Sequence, residues 1–295
     1  MNAPQSGSDT PRSNERWLER LDFLWLELTA RCNLECVHCY ADSSPRIPLS
    51  QGMSYHKWAT VLREGSALGC RKVQFIGGEP TLYPDLTQLV RDASMMGYNF
   101  IEVYTNGTRL TDHLLDSFRS FRVSLAFSMY GSRPEVHDRV TQRIGSHRKT
   151  LEGIRRALSY GIPVRASIIE LQVNADDVDA TRNVLQALQV ESIASDHVRR
   201  IGRAQAGSDP LPELCGACWR GQLAIDARGN ASPCVFARFC TVGNVSSGLR
   251  TVLRDARLHR FRLKVREHEE TGIGGRSVAT CKPSCAPYVA TGAAL

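Results

Sequence analysis

The 295-residue chain holds no stretch of about 18 apolar residues, so it contains no candidate transmembrane helix. Its N-terminus lacks the apolar core of a signal peptide. Residues 1–16 are polar and rich in Ser, Pro and Asn, and read as a disordered tail. No strong excess of charge is present either: 37 Lys and Arg against 30 Asp and Glu give +7, too moderate for a nucleic-acid binder. With no secretory signal, the ten cysteines lack the oxidising compartment that would make them disulfides. Their spacings are clustered, which points to metal ligation in a reducing cytoplasm, with neither nucleic acid nor membrane as partner. A hydrophobic content of 42% suffices for one large core plus a small appendage.

The cysteines that are present carry the first chemical signal. Cys32, Cys36 and Cys39 stand at spacings of four and three residues in Cys32-Asn33-Leu34-Glu35-Cys36-Val37-His38-Cys39-Tyr40. A cubane iron–sulfur cluster takes one thiolate per iron, so three thiolates leave one iron open to an outside ligand. On this segment alone a zinc site of three cysteines and His38 stays open as the alternative. Downstream, Val73-Gln74-Phe75-Ile76 reads as a short buried strand that runs into Gly77-Gly78-Glu79-Pro80. Paired glycines permit a close backbone approach to a ligand, and Glu79 offers a carboxylate to a cationic amine; a plain turn is the alternative.

With these two motifs, in this order and each beside a strand, the chain resembles the radical S-adenosylmethionine (SAM) superfamily. Cys32, Cys36 and Cys39 match its C-x3-C-x2-C loop, and Gly77 to Pro80 match its GGEP segment, which receives the SAM amino group. His38 stands where the family often has an aromatic residue, with Tyr40 just after the third cysteine. The resemblance implies a 4Fe–4S cluster whose open iron is chelated by SAM. It also implies reductive cleavage of SAM to a 5′-deoxyadenosyl radical that abstracts hydrogen from a substrate C–H bond.

Strands are expected at 23–28, 72–76, 101–104, 123–129, 164–169 and near 191–194 or slightly later. Helices are expected at 54–68, 84–94, 147–160 and 176–188. Alternating strands and helices argue for a parallel sheet with crossovers. The family resemblance makes it an α/β fold, a TIM-like partial (β/α)6 barrel over 17–205. Polar clusters follow the strand ends, where such barrels keep their chemistry. By resemblance, Thr105, Asn106, Ser128 and Tyr40 line the SAM site; Arg148, Lys149 and Arg165 are candidates to pair with its carboxylate, with a helix-surface charge as the alternative. His137-Asp138 is a candidate proton-transfer pair, with capping or a surface role as the alternative.

Residues 206–295 form the expected extension, a small cysteine-rich β-hairpin domain. Cys215-Gly216-Ala217-Cys218, the turn Asp226-Ala227-Arg228-Gly229-Asn230 and Cys234 resemble the opening of the SPASM or twitch extension, which holds auxiliary 4Fe–4S clusters. The full closing run C-x2-C-x5-C-x3-C is absent, and only Cys281-x3-Cys285 remains of it. Cys70 reads as a buried helix-end residue. Two full clusters would require eight thiolates, so one auxiliary cluster is expected, on Cys215, Cys218, Cys234 and one of Cys240, Cys281 or Cys285. Zinc is the alternative there. A Cys240 left unligated is a candidate hydrogen donor.

Arg257, Arg260, Arg262, Lys264 and Arg266 interleave with Leu253, Leu258, Phe261 and Val265 at helical spacing. That pattern reads as an amphipathic helix with a solvated basic face, or as a dock for an acidic partner. The expected substrate is a ribosomal peptide to be cross-linked, epimerised or oxidised, with an aminoglycoside-type sugar as the alternative. The resemblance adds an electron donor, such as flavodoxin or ferredoxin, and a separate leader-peptide recognition protein as expected partners.

Overall fold

The computed structural model describes residues 13–207 and 210–271. Six parallel strands alternate with helices through the first two thirds of the chain. In order they are β1 (Phe23–Thr29), α1 (Tyr55–Ala67), β2 (Lys72–Gly77), α2 (Leu86–Met95), β3 (Phe100–Thr105) and α3 (Asp112–Ser120). β4 (Ser124–Met129), α4 (Pro134–Thr141), α5 (Ser146–Ser159), β5 (Val164–Glu170), α6 (Val178–Ala187) and β6 (Ser192–His197) complete the series. The sheet continues into the C-terminal third through β7 (Gln222–Ile225), β8 (Asn230–Ser232) and β9 (Gly243–Asn244), and α7 (Leu249–Leu253) and α8 (Ala256–Thr271) follow.

The strand order is β6-β5-β4-β3-β2-β1-β7-β8-β9, an open sheet, as a partial barrel requires. β7 runs parallel to β1, with Phe23 opposite Gln222 and Leu26 opposite Ile225. β8 returns antiparallel as the expected hairpin. The cysteine-rich extension thus prolongs the barrel sheet at its β1 edge. With neighbours on both sides, β1 is buried at all seven positions, and its sequence is an almost unbroken apolar run.

Strand periodicity divides β1 between two cores. Leu24, Leu26 and Leu28 face the helices and join Trp58, Leu62 and Val103. Phe23 and Trp25 face the concave side, where Leu214, Val235, Phe261 and Val265 pack over them. Glu27 belongs to this second row. It is buried and takes a charge-assisted hydrogen bond from Arg238 of the extension, while burial pushes its carboxyl pKa up.

Helices α3 and α4 were not anticipated. α3 carries its own signal: the Thr111 hydroxyl accepts the Leu114 N–H at 3.3 Å, and Leu114, Leu115 and Phe118 are buried at helical spacing. The expected solvated basic face of α8 needs correction at one residue. Arg262 is fully buried, and its guanidinium donates to the carbonyls of Leu18, Arg20 and Gln222, so it ties α8 to the N-terminal segment and to β7. Arg266 lies over the rings of Trp17 and Trp219, at 4.9 and 5.3 Å.

Candidate active site

At the C-terminal ends of the strands, one cavity is walled by Cys32, Cys36 and Cys39 together with Gly77, Gly78 and Asn106. The cysteine loop has no regular structure, and distant segments hold it. Cys32 N–H donates to Ser44 O at 3.2 Å, Glu35 N–H to Thr141 O at 3.1 Å and Val37 N–H to Val140 O at 3.0 Å. The last two lay the loop along the end of α4.

Two of the thiols receive N–H donors suited to a thiolate. Cys32 Sγ accepts from Leu34 N at 3.4 Å and from the Asn106 amide at 3.8 Å, and Cys39 Sγ accepts from Ser43 N at 3.3 Å. Without a cation Cys32 and Cys36 resist deprotonation. Burial and then the Glu79 charge push the Cys32 thiol up to about 12, and burial with the charges of Cys32 and Cys39 holds Cys36 well above its ordinary value. Neighbouring thiols that repel one another as anions, two of which accept from N–H donors, suit a strongly cationic group bound by thiolates. Among the described residues no three Cys, His, Asp or Glu side chains gather into a single-ion site. A cubane places each thiolate on a separate iron and does not need one. His38 lines the cavity, edge-on to Tyr130 at 4.9 Å, and burial lowers its pKa to about 4, so the ring is neutral.

The glycine pair serves the loop root as well as the cavity wall. Gly78 N–H donates to Thr29 O at 2.7 Å and Glu79 N–H to Arg31 O at 2.9 Å. A Cβ on Gly78 would lie 2.1 Å from Arg31 O, and Gly77, at φ +133°, would bring one to 2.6 Å from Thr29 O. The close approach is therefore to the chain's own backbone as it enters the cysteine loop. Pro80 begins a single 3-10 turn and is buried.

Glu79 is fully buried, and its carboxylate is occupied within the fold. Oε1 accepts from Thr81 N at 3.0 Å, Thr81 Oγ1 at 2.7 Å and Thr105 Oγ1 at 2.7 Å, and Oε2 accepts from Asn106 N at 2.8 Å. Thr105 is thereby used too. Asn106 joins the end of β3 to the cysteine loop, with its amide donating to Asn33 Oδ1 at 2.9 Å as well as to Cys32. Ser128 lines the cavity and donates to the Tyr104 hydroxyl at 3.3 Å. Tyr40 lines it from the loop side, edge-on to Phe236 at 5.4 Å, with the Arg238 guanidinium 5.5 Å from its ring centre.

Several anticipated residues stand outside this wall. His137 is buried behind Tyr130, whose backbone N–H it accepts through Nδ1 at 3.3 Å, and burial with the nearby His147 lowers its pKa to about 4. Asp138 caps α5, accepting from Gly145 N at 2.6 Å, Ser146 Oγ at 2.8 Å and His147 N at 2.8 Å. Burial works to raise its pKa, but these donors prevail and lower it. Neither residue lines the cavity, so the proton-transfer expectation gives way to a capping role.

Arg148 is exposed on α5. Arg165 makes a two-pronged ion pair with buried Glu102, at 2.8 and 2.9 Å, and lies 5.2 Å from the Tyr104 ring centre. A buried acid has taken the charge that the sequence reading offered to SAM. Cys240 is half-buried between the two cores, away from the cavity wall, and burial raises its thiol pKa.

Sequence reasoning missed Tyr104 and Tyr130 at strand ends, Asp196, His197 and Arg199 at the end of β6, and Val235 and Phe236 of the extension, all of which line the cavity. Their position at or just after the ends of strands was the available signal for the first five. In the extension, buried Cys218 and Cys234 bring their sulfurs to 3.3 Å, and Cys215 is half-buried nearby in sequence. Cys281 and Cys285 lie outside the described residues.

Comparison with known proteins agrees with this geometry. Residues 26–185, more than half of the chain, match the Radical SAM superfamily model, and the chain belongs to that family. Its cofactors are a 4Fe–4S cluster and SAM. Residues 215–286 match SPASM, an iron–sulfur cluster-binding domain, which places the chain among the members with auxiliary clusters.

The chain is 24% identical over 259 residues to the antilisterial bacteriocin subtilosin biosynthesis protein AlbA of Bacillus subtilis, covering 74% of this chain and 56% of that protein. It is 30% identical over 218 residues to the PqqA peptide cyclase of Rhodopseudomonas palustris, covering 68% and 56%. The chain thus spans about half the length of the curated relatives it matches. The structure of Streptococcus suis SuiB bound to S-adenosylmethionine shares the fold at TM-score 0.68 and 12% identity, covering 83% of this chain and 68% of that one.

Proposed function

We propose that the chain cleaves SAM reductively and uses the product to abstract hydrogen from a C–H bond of a ribosomally made peptide. The observation that carries the reading is the convergence of Cys32, Cys36 and Cys39 with Gly77, Gly78 and Asn106 on one cavity. When bound, the cluster with SAM on its open iron supplies the one-electron chemistry that splits the sulfonium. The protein's residues hold and orient the reactants. Cys32, Cys36 and Cys39 hold the cluster, and the backbone at Gly77 and Gly78 meets the SAM amine. Asn106, Ser128 and Tyr40 line the remaining wall. The apolar sides of Ile169, Val235 and Phe236 exclude water, which protects a reactive product from quenching.

Cys215, Cys218, Cys234 and one further thiol hold one auxiliary cluster in our reading, within an extension that begins near residue 206. A peptide substrate is favoured because two relatives are named for bacteriocin biosynthesis and peptide cyclisation, and SuiB has been solved with the precursor peptide SuiA. A ferredoxin or flavodoxin would supply electrons, and a separate protein would recognise a peptide leader. No helix among the described residues is long and apolar enough to cross a membrane, which accords with a cytoplasmic setting.

The test is deuterium transfer. Labelled peptides and aminoglycosides are incubated with the anaerobically reconstituted chain, SAM and reductant. Deuterium appearing in 5′-deoxyadenosine from a peptide supports the proposal, and transfer from a sugar alone overturns the peptide assignment. Reconstitution should also yield about eight irons per chain, and about four would rule out the auxiliary cluster.

A further inference from the structure

The cysteine loop is gripped on its far side by a residue that no motif identifies. After β6 the chain makes a tight turn, Gly202–Ala204, that sits directly on the loop backbone. Gly202 has φ +63°, and a Cβ there would lie 2.3 Å from Tyr40 O and 2.4 Å from Cys39 O. The next residue, Arg203, donates from its backbone N–H to Cys39 O at 2.9 Å. Its guanidinium donates from Nη1 to Cys36 O at 2.5 Å, from Nη2 to Ser43 O at 2.7 Å and from Nε to Asp42 Oδ1 at 3.1 Å. One residue therefore holds the carbonyls of two of the three cysteines and bridges the loop from residue 36 to residue 43. The guanidinium is mostly buried, at 24% side-chain exposure, and lies against the backbone of Cys36.

We propose that Arg203 is a positioning residue of the cluster site: it holds the loop in the shape that presents its thiolates and keeps a fixed positive charge beside them. The fork geometry matters to the first role. Three planar donors engage three acceptors at once, which a lysine ammonium on a flexible stem does not reproduce. The charge matters to the second. A cation near a cluster favours the reduced, more negative state, and so raises the reduction potential. The proposal rests on the family's cluster being bound at this loop, and it is independent of the substrate.

The test uses the full chain, reconstituted anaerobically, with Arg203→Gln and Arg203→Lys. Iron release to a chelator is followed by visible absorbance, and the midpoint potential of the loop cluster by EPR-monitored titration. The loop cluster's signal is the one that changes when SAM is added. Arg203→Gln is expected to release iron about 10- to 100-fold faster than the parent, the range typical of lost outer-shell support, and to titrate at a lower potential. Arg203→Lys is expected to keep a parent-like potential but still release iron faster. Parent-like release in Arg203→Gln overturns the proposal, and so does an unchanged midpoint potential in that variant. Should Arg203→Gln take up no iron, Arg203→Lys decides: parent-like release overturns the positioning role, and faster release supports it. A parent chain without a SAM-responsive cluster would refute the cluster assignment itself, a distinct outcome.

Discussion

Glu79 belongs to a recognised motif, yet its carboxylate makes at least four hydrogen bonds to the chain's own Thr81, Thr105 and Asn106. If its first task is to join β2 to β3, substitution should weaken the apo-protein before any ligand is considered. Glu79→Gln keeps the shape and creates no cavity. Its amide oxygen can stay at the Oε1 position and satisfy three donors, but its amide nitrogen then opposes the Asn106 N–H. One bond to a charged acceptor is lost and two donors meet, a cost of about 2 kcal/mol after partial relief from removing a buried charge. Glu79→Ala strands all the donors and leaves a void, costing about 4–5 kcal/mol. Urea unfolding of the apo-protein, followed by far-UV circular dichroism at neutral pH, reads both values. SAM affinity of the reconstituted variants is measured alongside. Parent-like unfolding of Glu79→Ala combined with a large loss of SAM affinity would refute this account and return the carboxylate to a ligand-binding role.

Gly78→Ala sets a methyl group against the Arg31 carbonyl, which is backbone and yields little, so apo stability should fall by about 2–3 kcal/mol and iron uptake should fall with it. His137 is held neutral, with a pKa of about 4 against 6.5 in the unfolded chain. The unfolded state therefore binds the extra proton first, and stability present above pH 6.5 should decline as pH falls towards 4, by about 3 kcal/mol for this group. His137→Gln should flatten that slope in urea titrations across the same window. Cys218→Ser and Cys234→Ser, each removing one of two touching buried thiols, should lower iron from about eight to about four per chain while the SAM-responsive signal survives. Arg262→Met should destabilise the fold by about 2–4 kcal/mol in thermal or urea unfolding, because the carbonyls of Leu18, Arg20 and Gln222 lose their shared donor.

The spacing of the cysteine loop was legible because it is local, and so were the approximate positions of the strands, because parallel strands buried on both faces write near-continuous apolar runs such as Phe23 to Leu28. Individual cations and acids were not legible. Arg165 and Arg262 look in sequence like available charges, yet one is paired with Glu102 and the other sits among backbone carbonyls. Which of these applies depends on residues 63 and 40 or more positions away. His137-Asp138 fails for a related reason. A dipeptide cannot reveal whether its acid faces a substrate or the N-terminus of the next helix, and here it caps α5. Val235 and Phe236 reach the cavity only because β7 pairs in parallel with β1, a long-range choice that hairpin signals do not specify.

A cluster loop with three open-spaced cysteines has no helix or strand of its own, so its shape must come from what surrounds it. In this chain the supports come from four directions: the backbone of Gly78 and Glu79 after β2, the Asn106 amide after β3, the last carbonyls of α4, and the turn after β6. Each is a strand-end or helix-end segment, so the sheet sets their mutual positions and the loop inherits them. Loss of one support should then loosen the thiolates without unfolding the barrel, whose cores lie below and behind these contacts. The motif names the thiols proposed to bind the cluster. The arrangement of those atoms is a property of the sheet.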